Sequence, residues 1–215
     1  MRQTIGFLVM AAGLFGQGLE PLPLSLPKPL FEGTPENLRV ANLEKPLGKP
    51  RPAFLAPAGT RNMALGKPVT SSDEDPAVGD LEMITDGEKA GTDGSFVELK
   101  GGRQQVTIDL EVPSAIYAIV VWHYLKQPRV YNDVIVQTAD DADFLENVRT
   151  LFNNDHDNTS GLGAGKEMNY VDTAEGRLID GRGTVARYVR LYCNGSTAGA
   201  TNHYVEVEVY GRPKP

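Results

Sequence analysis

Two stretches of this 215-residue chain hold most of the residues capable of chemistry. The first is residues 153–158, Asn-Asn-Asp-His-Asp-Asn, where Asp155 and Asp157 alternate with the Thr159 hydroxyl around His156. Alternating oxygens suit a calcium ion, but the glycine and distal glutamate of an EF-hand loop are missing at the required spacing. The stretch therefore reads as a capped polar turn that also offers Asp155, His156 and Asp157 to a ligand. The second is residues 122–131, WHYLKQPRVY, in which aromatic rings alternate with His123, Lys126, Gln127 and Arg129. Saccharides bind where a flat apolar face lies beside forked donors. The competing reading packs Trp122 and Tyr124 into the core or its rim. His123, His156 and His203 are scattered without H-x-H or H-E-x-x-H spacing, which argues against a zinc centre. No G-x-S-x-G elbow, phosphate loop or dinucleotide fingerprint occurs, and acid pairs carry no weight in an acidic chain. The expectation is a binding protein rather than an enzyme.

The elements that must position these residues are short strands. Residues 186–193 place Arg187, Val189, Leu191 and Cys193 on one face, and Ala186, Tyr188, Arg190 and Tyr192 on the other. Residues 203–210 alternate Val205, Val207 and Val209 against Tyr204, Glu206, Glu208 and Tyr210. Period-two alternation of β-branched and aromatic residues predicts half-buried antiparallel strands, and Asn194-Gly195 supplies the turn after the first. Upstream, residues 69–71, 96–99, 106–110 and 130–138 read as strands, and residues 81–84 as a turn or short helix. Residues 116–122, IYAIVVW, are apolar on both faces and predict a central strand covered on both sides. Asp109 is placed to bind neighbouring backbone amides. Glycine-, asparagine- and aspartate-rich turns separate these runs, and no long amphipathic helix interrupts them. The pattern is that of an all-β sandwich. The single cysteine, Cys193, excludes an intrachain disulfide and reads as a buried small hydrophobe.

The order N-x-A-x-G-K-x-V-T-x-S from Asn62, then T-D-G at 85–87, V-T-I-D-L at 106–110, A-R-Y-V-R-L at 186–191 and E-V-E-V-Y-G at 206–211 resembles the discoidin family. This family, the coagulation factor 5/8 type C domains, is close to the family 32 carbohydrate-binding modules and the fucolectins. The resemblance implies a galactose-binding-like jelly-roll β-sandwich over residues 61–213. It also implies a structural calcium ion at the Met83 carbonyl, Asp86, the Glu88 region and Glu206; the competing reading makes Asp86 a turn residue and Glu206 a solvated strand position. Finally, it implies a ligand-side loop carrying His123, Tyr124, Arg129 and Tyr131, with Asp155, His156 and Asp157 beside it. The chain departs from the family's pattern in two places. The His-Arg-Arg set that holds fucose is not intact, and Gln105 stands where a tryptophan usually precedes V-T-I-D-L. Nor do the loops show the tryptophan or leucine spikes of the membrane-binding relatives, so membrane insertion is not expected.

Residues 1–18 read as a secretory signal, with Arg2 before a short apolar core and small residues at Gly16 and Gly18. A secreted, periplasmic or cell-surface location follows. Residues 19–60 hold most of the fifteen prolines, which bar a helix or central strand and predict an extended leader acting as a spacer. The sharper alternative uses the leucines and phenylalanines among the prolines to pack along the sandwich or to dock a partner protein. Net charge is −7, concentrated from Asn62 onward, which argues against nucleic acid. The sequence thus predicts a secreted, calcium-stabilised module binding carbohydrate or a surface polymer. Its alternative is an accessory subunit docking through residues 19–60.

Overall fold

The computed structural model describes residues 18–30, 38–92 and 94–214; the expected secretory signal, apart from Gly18, lies outside them. Ten of the strands and one short helix follow the leader's first strand. They are β1 (Leu19–Pro21), β2 (Leu55–Pro57), β3 (Arg61–Asn62), β4 (Val69–Ser71), a 3-10 helix (Leu81–Thr85) and β5 (Val97–Leu99). Then come β6 (Gln104–Trp122), β7 (Ile135–Ala139), β8 (Arg149–Asn153), β9 (Arg177–Cys193), β10 (Asn202–Tyr204) and β11 (Glu206–Pro213). All named strand pairs are antiparallel. The architecture is the expected all-β jelly roll.

Two strands are longer than their sequence signals. Residues 106–110 and 116–122 merge into β6, and residues 177–180 join 186–193 as β9. Each long strand bends and so serves both layers. The first half of β6 pairs with β4 and with the end of β9; its second half pairs with β11 and the start of β9. The β6 bend lies at residues 110–113, where Glu111 takes a positive φ of 65° and donates its amide to Asp109 Oδ1 at 2.7 Å. Arg187 clamps the same carboxylate with two 2.7 Å bonds. Asp109 thus binds a neighbouring amide as expected, and it also fixes the corner between layers. Opposite, Gly181 relieves the bend in β9: a Cβ there would lie 2.6 Å from the Ile116 carbonyl.

Val106, Ile108, Ile119, Val121, Val189, Leu191, Val207 and Val209 fill the space between layers, each fully buried. The outer face of the β6–β11 layer is covered too. Ala118, Val120, Trp122, Val205 and Tyr210 form a second apolar cluster, against which Leu22, Leu24 and Phe54 of the leader pack. The central-strand reading of residues 116–122 therefore holds, and the leader is part of the reason. It also corrects two expectations. The described residues of the leader do not run as a free spacer: β1 folds back on β2, with the Leu22 amide donating to Phe54 O at 3.0 Å. Residues 204–210 are not half-buried, since both faces are shielded.

Candidate functional site

The polypeptide leaves the sheet at Trp122, whose Nε1 donates to Ala174 O at 3.0 Å. His123 follows, stacked on Tyr131 at 4.3 Å between ring centroids, with its Nδ1 3.0 Å from Asp172 Oδ2. The ring is 0% exposed. Tyr131 is equally enclosed; its hydroxyl meets His203 Nδ1 at 3.1 Å and accepts the Tyr124 amide at 3.4 Å. Burial, followed by the charge of Asp172, pushes that phenol far above its ordinary range. His123 and Tyr131, expected at a ligand surface, are therefore interior supports. A strand-end residue flanked by aromatics turns inward here because the following loop folds over it.

What reaches the surface is Tyr124. Its ring is half-buried, with Phe96 edge-on at 5.2 Å, the Arg129 guanidinium 4.3 Å over its centre and His203 5.3 Å away. Arg129 Nη2 donates to Gln127 Oε1 at 3.4 Å, while its Nε has no partner. His203 Nε2 lies 3.5 Å from Glu98 Oε2. Burial, with the positive charge of Arg129 adding to it, depresses His203 to about 4, so its ring is neutral at physiological pH. Arg129 and His203 are themselves buried, at 8% and 6% exposure, so Tyr124, Phe96 and Glu98 carry the accessible surface, aromatic edges beside a carboxylate that can lie against a sugar ring and pair with its hydroxyls. Phe96, Glu98 and His203 were not legible as site residues. They arrive through the β5–β10 pairing, in which His203 stands opposite Glu98.

The residue 153–160 loop is a capped turn. Asp155 is 0% exposed and saturated: Thr159 N donates to Oδ1 at 3.1 Å, and both the amide and the hydroxyl of Ser160 donate to Oδ2. Burial raises its pKa, but the Ser160 and Thr159 donors outweigh this and hold it below the ordinary carboxylate range. It has no surface for a ligand, which corrects its place in the expected set. His156 and Asp157 are exposed. Asp133, which the sequence reading missed, brings its carboxylate within 4.8 Å of those of Asp155 and Asp157. Its Oδ2 accepts from Thr159 Oγ1 and Asn194 Nδ2 at 3.1 and 2.8 Å. No hydrogen bond or ring contact links this loop to Tyr124 or Arg129 among the described residues.

At the third place, Met83 sits in the 3-10 helix and Asp86 follows its end. Asp86 Oδ1 accepts the Glu88 amide at 2.7 Å, and Glu88 Oε1 accepts the Ala90 amide at 2.6 Å; both side chains are exposed. Gly87 donates its amide to Glu206 Oε2 at 3.1 Å, joining the loop to β11. Glu206 is 0% exposed and its Oε1 has no partner. Burial, with Glu208 and Asp86 adding repulsion, pushes its pKa up to about 9. Glu208 beside it is satisfied by Lys89 Nζ at 2.6 Å and the Tyr210 hydroxyl at 2.8 Å. Glu206 is therefore no solvated strand position. A buried carboxylate oxygen lacking a donor has the chemistry that fits a hard cation; the Asp86 and Glu88 carboxylates above it cap their own loop and do not converge with Glu206 as Asp133, Asp155 and Asp157 converge with one another.

No protein-family model matches the sequence, and no curated protein matches it. Among solved structures, a family 89 glycoside hydrolase from Clostridium perfringens is similar over 71% of this chain and 15% of its own, at 16% identity and a TM-score of 0.51. The likeness thus falls on one segment of that larger enzyme. A fucose-binding module from Streptococcus pneumoniae is 22% identical, with 71% of this chain and 96% of that one covered and a TM-score of 0.47. Chitosan-binding module 1 of a Paenibacillus sp. IK-5 chitosanase/glucanase is 18% identical over 70% and 99%, at 0.48. At these identities the likeness is one of fold alone, an all-β jelly roll.

Proposed function

We propose that this discoidin-type jelly roll is a non-catalytic module that binds a carbohydrate or surface glycan at the Tyr124 patch, with a structural calcium ion at Glu206. The observation carrying the ligand reading is the partly exposed Tyr124 ring, backed by Arg129, Phe96 and His203. Calcium is supported by the partnerless Glu206 Oε1 beneath the Asp86–Glu88 loop; Asp86, Glu88 and the Met83 carbonyl complete the proposed ligand set. The ion would neutralise a buried carboxylate and tie the loop to β11, while Gly87 N holds the other oxygen in place. His156 and Asp157 remain available as outer contacts. No helix among the described residues is long and apolar enough to cross a membrane, and export to the cell surface or periplasm is the location this reading requires.

The test is titration of the full chain with fucose and chitosan oligomers, the ligands named for the compared modules, alongside a neutral glycan array. Tyr124→Ala is expected to weaken binding by tenfold or more, since loss of one aromatic stack is worth on the order of 1–3 kcal/mol. Binding that survives Tyr124→Ala unchanged would place the site elsewhere.

A second reading, an accessory subunit with a protein partner docking through residues 19–60, is favoured by one observation. The leader is ordered against the domain through Leu22, Leu24 and Phe54, yet leaves Leu19, Leu26, Leu30 and Leu55 exposed. Pull-down with the full chain, compared with a variant carrying Ser at those four leucines, decides it.

A further inference from the structure

The leader and the domain enclose a second concavity, and none of Phe96, Tyr124, Arg129 or His203 lines it. A cleft of about 1020 Å³ opens between residues 44–51 of the leader and residues 170–178, the segment leading into β9. Its walls are fixed. The Arg51 amide donates to the Glu175 carboxylate at 3.1 and 3.2 Å, and the Arg51 guanidinium donates to Gly176 O and Glu175 O at 2.8 Å each. Arg177 Nη1 reaches back to Glu44 Oε2 at 2.7 Å, while its guanidinium lies 4.7 Å from the Tyr170 ring centre and 5.0 Å from that of Phe152. The leader amide of Glu44 donates to Asn169 O at 2.8 Å. A cleft held this way needs little reorganisation to receive a ligand.

Its chemistry differs from that of the rest of the molecule. The chain carries a net charge of −7, yet Lys45, Lys49, Arg51 and Arg177 line the cleft against only Glu44 and Glu175. Both carboxylates are already engaged by Arg177 and the Arg51 amide. Lys45 and Lys49 stand exposed at the lip, where local field lines concentrate on an incoming anion. Between them the lip is apolar: Leu47 is 57% exposed, and the Pro46 and Pro50 rings are exposed beside it. At the floor, Tyr170 Oη and Arg177 Nε are buried without a partner, although buried polar atoms are ordinarily satisfied. The volume stands at the top of the ~300–1,000 Å³ range of small-molecule sites, so an oligomer fits better than a single ring.

We propose that this cleft binds an acidic oligosaccharide, a saccharide chain bearing carboxylates, through Lys45 and Lys49. Leu47 and the flanking prolines would lie against the apolar faces of its rings. The inference rests on the reading of the chain as a carbohydrate binder but uses a different surface from the Tyr124 patch. The ligand would bridge leader and domain, giving the Pro-rich leader a direct part in recognition.

Calorimetric titration of the full chain with an oligogalacturonate of about four residues tests it, beside a neutral cello-oligosaccharide and a poly-glutamate peptide of matched charge. The uronate is expected to bind, to weaken steeply between low and physiological salt, and to lose about tenfold in affinity in Lys45→Ala/Lys49→Ala. Both lysines are exposed, so that variant folds as the parent does. Uronate affinity unchanged in the double variant overturns the proposal, as does equal binding of the neutral oligomer. Poly-glutamate binding as tightly as the uronate would make the cleft a peptide site and overturn the saccharide assignment. Tyr124→Ala separates this inference from the patch reading. Uronate binding that survives Tyr124→Ala but not the lysine change upholds the cleft, even if fucose and chitosan oligomers fail. Neutral-glycan binding through Tyr124 without any uronate binding removes the cleft and leaves the patch.

Discussion

Asp155 and Glu206 are both carboxylates with 0% exposure, and the fold treats them in opposite ways. Asp155 receives the Thr159 amide and both the amide and hydroxyl of Ser160, and these donors hold its pKa low against the effect of burial. Glu206 receives one amide, from Gly87, and burial drives its pKa up to about 9. Both are shut off from solvent, but Glu206 lies deeper and receives one aimed donor where Asp155 receives three, and these two differences together set their charges apart. Asp155 has spent its oxygens on closing its own loop. Glu206 retains one with no donor, which is what a calcium ligand needs and what a finished structural carboxylate lacks.

The sharpest way to break this contrast is Asp155→Ala. It strands the Ser160 and Thr159 amides inside the loop and is expected to cost about 2–4 kcal/mol, read by urea denaturation, while leaving the calcium response intact. Next in size is calcium itself. At a hundredfold excess over its dissociation constant it should stabilise the protein by about 2.7 kcal/mol, raising Tm by roughly 5–10 °C at this chain length. Glu206→Gln should abolish that shift. An unchanged calcium shift in Glu206→Gln would show that the ion sits elsewhere.

Without calcium, the raised pKa of Glu206 means that the folded state holds a proton the unfolded state has released. Stability then falls as pH rises from about 4.5 toward 9, by up to ~1.4 kcal/mol per pH unit. In Glu206→Gln that slope should flatten. His203 acts at the other end. Its folded pKa of about 4 lies below the ordinary 6.5, so its contribution is complete above pH 6.5 and is lost as pH falls through 4. His203→Gln should remove that acid loss. The smallest effect expected is Glu206→Gln below about pH 4 without metal, where the acid is protonated in both folded and unfolded states, under ~1 kcal/mol in thermal denaturation. Glutamine keeps an acceptor for Gly87 and resembles the protonated acid already present.

The leader offers the same lesson on a larger scale. Proline positions forbade a helix there, and the described residues of the leader hold none. What the prolines did not reveal is that Leu22, Leu24 and Phe54 lie against Ala118, Val120 and Trp122, because packing between segments a hundred residues apart leaves no periodicity in either. The same gap explains the binding patch. Tyr124 and Arg129 were legible because they lie in one loop of alternating rings and cations. Phe96, Glu98 and His203 join them only through the β5–β10 register. His123 and Tyr131 carried the same local signal as Tyr124, yet turn inward to Asp172 and His203.

The sequence by itself determined the all-β class, most strand positions, the turn at residues 153–160 and the backbone-amide bond of Asp109. Each follows from alternation, turn chemistry or hydrogen bonding within a few residues. Tertiary structure alone decided which aromatic residues reach the surface, which carboxylate keeps an open oxygen, and that the Pro-rich leader packs on the outer sheet face and forms one wall of a cleft. Those outcomes depend on burial and on donors supplied by distant segments, and neither quantity exists until the chain has folded.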